Sequence, residues 1–151
     1  MSTMKVGDQM TKYPFIADLD MRVSEAFRIM HEAHIRHLPV VNADKVVGLI
    51  SDRSLRMAFS LPSDGDLRVR DIMVKNPYKV AQGTSLAAVA KAMADNKYGC
   101  VIIEDTQKRA VGIFTTTDGM RVLSDLLLRE DDDFSKRSID EFAFPLHLAV
   151  V

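Results

Sequence analysis

The sequence predicts an α/β (α+β) fold built from two tandem copies of one strand–helix–strand–strand–helix (βαββα) unit, and three observations predict it. The first is repetition. Val6, Asp8, Met10, Lys12 and Pro14 are matched by Val69, Asp71, Met73, Lys75 and Pro77, each pair 63 residues apart (69 − 6). Five identities in nine positions at one offset mark a duplicated unit. The second is helical spacing: Val23, Ala26, Phe27, Met30 and Ile35 in one copy, and Leu86, Val89, Ala90 and Met93 in the other. The third is a pair of short, β-branched apolar runs around a polar turn in each copy, the pattern of a hairpin.

The elements follow in order. Ser24 or its neighbours, and Thr84 or Ser85, are placed to cap the first helix of each copy. The hairpin strands are Leu38–Val41 and Val46–Ile50, then Cys100–Ile103 and Ala110–Phe114. The offset grows to 64 at Gly48 and Gly112, so the second hairpin carries one extra loop residue, which a surface loop tolerates. A second amphipathic helix closes each copy, with Leu55 and Phe59 in one and Met120, Leu123 and Leu127 in the other. This places repeat one at 5–60, a turn-rich linker at 61–67, repeat two at 68–128 and a tail at 129–151. Each unit has half a core, so the two are expected to stack about a pseudo-two-fold and share one interior.

Composition narrows the function. A net charge of −1 without a basic block removes the electrostatic footprint of a nucleic-acid binder. No apolar run approaches the ~18 residues of a membrane span, and Met1–Met10 do not read as a secretory signal. The single cysteine, Cys100, cannot form an internal disulfide, which fits a reducing compartment. A cytoplasmic globular protein is expected. There is no Walker loop, nucleophile elbow or carboxylate pair, so no catalytic residue and no enzyme activity are expected. His31, His34 and His37 recur every three residues, but no Asp, Glu or Cys nearby in sequence completes a tetrahedral set, so no metal is expected.

The lead-in V-x-D-x-M-x-K-x-P, together with IRHLPVV at Ile35–Val41, VVGLISDRSL at Val46–Leu55 and AVGIFTTTDGMR at Ala110–Arg121, resembles the CBS domain family over about residues 5–128. The resemblance implies a pseudo-two-fold CBS pair, commonly joined with a second copy as a homodimeric four-repeat disc. It also implies a non-catalytic regulatory role in which an adenine nucleotide or S-adenosylmethionine occupies a cleft between repeats and the signal passes to a separate, unidentified protein target. No cofactor is implied beyond that ligand.

Thr115-Thr116-Thr117-Asp118 follows a strand and opens a helix, where unpaired N–H groups and the dipole favour an anion. The same residues also suit a helix start with no ligand. By resemblance, Thr115 and Thr117 face phosphate, Asp118 takes both ribose hydroxyls, and Arg36 and His37 reach phosphate across the pseudo-two-fold. Val80 and the backbone of Tyr98, Gly99 and Cys100 are the matching adenine segment. In repeat one the counterpart is Ser51, Asp52, Arg53 and Ser54, with Ser54 where the ribose carboxylate belongs. That first site is therefore expected to be degenerate, either empty or selective for something else, leaving one competent site per chain at Asp118.

Two rivals remain at this stage. One is a structural or interaction dimer with a ligand-free cleft. The other is an amino-acid sensor of the ACT type, against which the lead-in and G-[IL]-[IF]-[ST]-x-x-[DS] patterns speak. The tail turns from charged to apolar at Ile139–Val151, and this end is expected to fold back on the pair or on a second subunit.

Overall fold

The computed structural model describes the backbone of residues 2–62 and 66–143, and the side chains of 2–62 and 66–137. The chain forms two compact units, residues 1–116 and 117–151.

The first unit carries almost every element. Repeat one contributes the short helix α1 (Val6–Gln9), β1 (Thr11–Lys12), β2 (Ala17–Asp18), α2 (Val23–Glu32), β3 (His37–Asn42), β4 (Lys45–Ser51) and α3 (Asp52–Ser60). Repeat two contributes α4 (Val69–Ile72), β5 (Val74–Lys75), β6 (Lys79–Ala81), α5 (Leu86–Asn96), β7 (Cys100–Glu104) and β8 (Ala110–Thr115). The last helix, α6 (Thr116–Ala143), starts at the end of this unit and makes up the described part of the second.

Both expected hairpins form, β3 with β4 and β7 with β8, each antiparallel. The repeats then exchange strands, which the periodicity did not reveal. The sheet orders are β1-β8-β7-β6 and β2-β3-β4-β5, so each lead-in strand completes the other repeat's sheet. Lys12 faces Gly112 across one junction and Lys75 faces Gly48 across the other. The short helices dock the same way. Val6 N–H donates to the carbonyl of Thr84 at 2.9 Å and Val69 N–H to that of Met21 at 2.8 Å.

The repetition reaches the backbone dihedrals. Left-handed residues recur at the sequence offsets: Tyr13 and Asn76 (φ 50° and 51°), His34 and Lys97 (53° and 58°), Asp44 and Lys108 (67° and 66°). The inserted residue is accommodated in the second hairpin turn. Ala43–Asp44 suffice between Asn42 and Lys45, whereas Thr106–Lys108 separate Asp105 from Arg109. Asp105 holds this longer turn by accepting from the Gln107 and Arg109 amides and from Arg109 Nε, at 2.8–2.9 Å. These bonds, the Arg109 amide foremost, hold its carboxyl below the usual range.

Packing follows the stripes with corrections. Val23, Ala26 and Met30 of α2, Leu55 and Ala58 of α3, and Leu38, Val40 and Ile50 of the hairpin form the buried cluster of repeat one. Phe27 and Phe59 lie outside it, 44% and 57% exposed, in an edge-to-face pair with centroids 5.3 Å apart. In repeat two Leu86, Val89, Met93, Val101–Ile103, Ile113 and Phe114 are buried. Ser85 caps α5, accepting from the Ala88 amide at 3.4 Å, but Ser24 lies inside α2, whose N-cap is Arg22.

In the second unit α6 runs on past Leu128, because residues 120–143 contain neither Gly nor Pro. Met120, Leu123 and Leu127 on it are exposed. The expectation that the apolar end Ile139–Val151 folds back lies outside the described side chains.

Candidate functional site

Within the first unit a cavity of about 640 Å³ lies where the two repeats meet. That size suits a nucleoside or nucleotide. Repeat one supplies His37, Leu49, Ser51 and Arg53, and repeat two supplies Val74, Pro77, Tyr78, Tyr98, Gly99 and Cys100. Strand register explains the grouping. His37 opens β3 opposite Ser51, which ends β4, so both stand at one mouth of the hairpin. Lys97 terminates α5 in the left-handed conformation, turning Tyr98 and Gly99 back toward β7.

One wall is aromatic. Tyr78 and Tyr98 stack with centroids 5.2 Å apart and planes 27° from parallel. Among the described residues the lining also carries the basic side chains Arg53, Lys79 and Lys97 against one carboxylate, Glu104. That carboxylate is engaged by Lys108 at 3.3 Å and Lys79 at 3.8 Å. Its Oε2 is shielded from solvent and accepts no hydrogen bond among the described residues. An apolar and aromatic wall beside excess positive charge suits a flat base bearing an anionic group.

His37 sits against Gly99. A β-carbon on Gly99 would lie 2.7 Å from His37 Nε2, so only glycine leaves room for this ring. Burial, then the Arg36 guanidinium, hold the imidazole below its ordinary range, with Asp52 opposing them. Burial pushes the Cys100 thiol up to about 12, which makes it a neutral wall group.

The structure regroups the residues expected to bind ligand. His37, Ser51, Arg53, Tyr98, Gly99 and Cys100 share this cavity. Tyr98–Cys100 thus stand with the Ser51/Arg53 motif, the one expected to be degenerate, rather than being reserved for Asp118. Arg36 points elsewhere, into a separate depression with His31, His34, Asp52 and Arg56. Val80 pairs with Ile103 inside the sheet and does not line the cavity. Ser54 is taken up by Ser51, whose Oγ accepts from the Ser54 amide at 3.1 Å and lies 2.9 Å from its hydroxyl. Thr115 ends β8 opposite Cys100. Thr117 and Asp118 belong to the second unit, where Asp118 pairs with Arg121 at 3.2 Å. Sequence reasoning missed Tyr78, Lys79, Lys97 and Glu104. The repeated Pro77 marked the segment, but the exchange of strands that brings it to repeat one left no periodic signal.

The fold defines a tandem-repeat architecture with a cavity between the repeats, and comparison with known proteins gives the family. The sequence profile of the CBS domain matches twice, over residues 5–61 and 69–125. A CBS domain-containing protein of Dictyostelium discoideum is 30% identical, over 82% of this chain and 91% of its own length. The AcuB protein of Vibrio cholerae matches with a TM-score of 0.78 at 28% identity, covering 87% of this chain and 98% of that one. The CBS domain pair of protein MJ0100, solved with 5′-methylthioadenosine and S-adenosyl-L-methionine, matches with a TM-score of 0.75 at 26% identity, covering 82% and 98%. The chain belongs to the CBS domain family and forms a CBS pair. It spans a small part of other relatives, 21% of a homoserine O-acetyltransferase of Methanohalobium evestigatum that is 29% identical. Among the described residues no helix is long and apolar enough to cross a membrane.

Proposed function

We propose that this protein is a non-catalytic regulatory module that takes an adenosyl ligand, a nucleotide or S-adenosylmethionine, into the cavity between its repeats. The cavity itself carries the reading, with a tyrosine stack and the basic residues Arg53, Lys79 and Lys97 in one lining. The similar MJ0100 pair, solved with two adenosyl compounds, supports the ligand class. Because both repeats line the cavity, a ligand that prefers one arrangement of them shifts the population toward it, and a partner protein that senses that arrangement receives the signal. Asp118, with Thr115 and Thr117, is a second candidate motif for ribose and phosphate, and Arg36 a candidate phosphate group.

A second reading, a structural homodimer in the cytoplasm with an unused cleft, draws on Ser54 in place of a carboxylate and on the exposed Phe27–Phe59 pair. Thermal unfolding with 5′-methylthioadenosine, S-adenosylmethionine, AMP, ADP and ATP separates the two. Saturation at 100 times the dissociation constant adds ~2.7 kcal/mol, a rise of about 5–10 °C for a chain of this size. Arg53→Ala and Asp118→Ala then assign the site. Flat curves with every ligand favour the dimer reading.

A further inference from the structure

We propose that His37 makes the cavity read the charge of its ligand: a phosphorylated adenosyl ligand binds with uptake of one proton on the imidazole, an unphosphorylated one without. This deepens the proposed function and rests on the cavity being the adenosyl site.

His37 lines the cavity, with its ring against the space that a β-carbon at Gly99 would need. The charged groups around it are set by four further elements. Arg36 precedes it on the chain, and α3 presents Asp52 and Arg53. Lys97 at the end of α5, Lys79 on β6 and Glu104 on β7 line the same space. Burial keeps Cys100 a neutral thiol there. Burial, then the Arg36 guanidinium, favour the neutral imidazole, with Asp52 opposing them, and Glu104 is engaged by Lys79 and Lys108. A phosphoryl group entering among Arg53, Lys79 and Lys97 offsets their positive charge, and an imidazolium then gains an anionic partner. Affinity for the anion must rise as pH falls, by up to tenfold per pH unit where one proton is taken up. A ligand without phosphate supplies no such partner.

Calorimetric titration of the full chain with AMP and with 5′-methylthioadenosine between pH 6 and 8 tests this. The phosphate of AMP itself titrates near 6, so His37→Asn, which keeps that contribution, is the reference. The expected result is AMP affinity that rises several-fold more from pH 8 to 6.5 in the wild type than in His37→Asn, with 5′-methylthioadenosine flat in both. Proton NMR of the His37 ring follows the same event directly, and should show it titrating at higher pH with AMP bound than without. Equal AMP profiles in wild type and His37→Asn, or an unmoved ring titration, overturn the inference and leave the cavity assignment standing. If neither compound binds at any pH, the cavity assignment falls and this inference with it.

Discussion

Met73 of the second repeat lies over Gly48 of the first, in the space that a β-carbon at Gly48 would fill, and Met10 lies over Gly112 in the same way. Each methionine belongs to a lead-in that pairs with the other repeat's sheet beside that glycine. The lead-in is therefore the clasp between repeats, which accounts for its being the best-matched stretch of the duplication. Gly48→Val sets new atoms against the Met73 sulfur and, at 3.0 Å, against the Val74 carbonyl oxygen, a backbone atom with little room to move. Overpacking of this kind costs about 1–3 kcal/mol. Urea unfolding should show that loss, partly recovered in Gly48→Ala with Met73→Ala; a Gly48→Val chain of undiminished stability would mean that the clasp does not matter.

Tyr78 and Tyr98 form the aromatic wall, so Tyr98→Ala should weaken the binding of adenosyl ligands whatever their charge. An aromatic pair contributes ~0.5–1.5 kcal/mol beyond its buried area, roughly a two- to twelvefold loss in affinity. Phe27→Ala, outside the cavity, should leave affinity alone. Equal losses in both variants would place the ligand somewhere other than against the tyrosines.

His37 also predicts how the empty protein responds to acid. In the unfolded chain histidine takes up its proton near pH 6.5, whereas in the folded protein His37 resists until a lower pH. Between those values the unfolded state holds more protons, so stability falls as pH drops through 6.5 and the loss levels off below the folded value. Melting temperatures measured from pH 7.5 to 5 should therefore fall more steeply in the wild type than in His37→Asn. Parallel profiles would show that the imidazole is not held neutral.

Cys100 is buried and its thiol is pushed up to about 12, so almost no thiolate is present at pH 8. Iodoacetamide should label it far more slowly in the folded chain than in urea. Rapid labelling under native conditions would mean that β7 opens readily.

Much of this was legible in the residues. The duplication, both hairpins, the inserted turn residue and the buried faces of α2 and α5 follow from spacing, because a chain that builds one unit twice must write its periodicity twice. The strand exchange was not legible. Two-residue strands such as Thr11–Lys12 and Val74–Lys75 carry no alternation, and their partners are fixed by tertiary docking of the lead-ins. That exchange also carries Tyr78 and Lys79 to Ser51 and Arg53, a grouping to which no single stretch of sequence points. Arg36 and His37, adjacent in sequence, part company because successive residues entering a strand face opposite ways. The continuation of α6 past Leu128 was obscured by its charge, which resembles a solvated tail although every residue there tolerates a helix.

The most direct test of the central claim, that the cavity between the repeats is an adenosyl-ligand site, is amide chemical-shift mapping of the full chain titrated with 5′-methylthioadenosine and with AMP. The account predicts saturable shifts concentrated at His37, Ser51, Arg53, Tyr78 and Tyr98–Cys100. Spectra unchanged by either compound, or shifts confined to residues such as His31, Asp52 and Arg56 in the neighbouring depression, would contradict it.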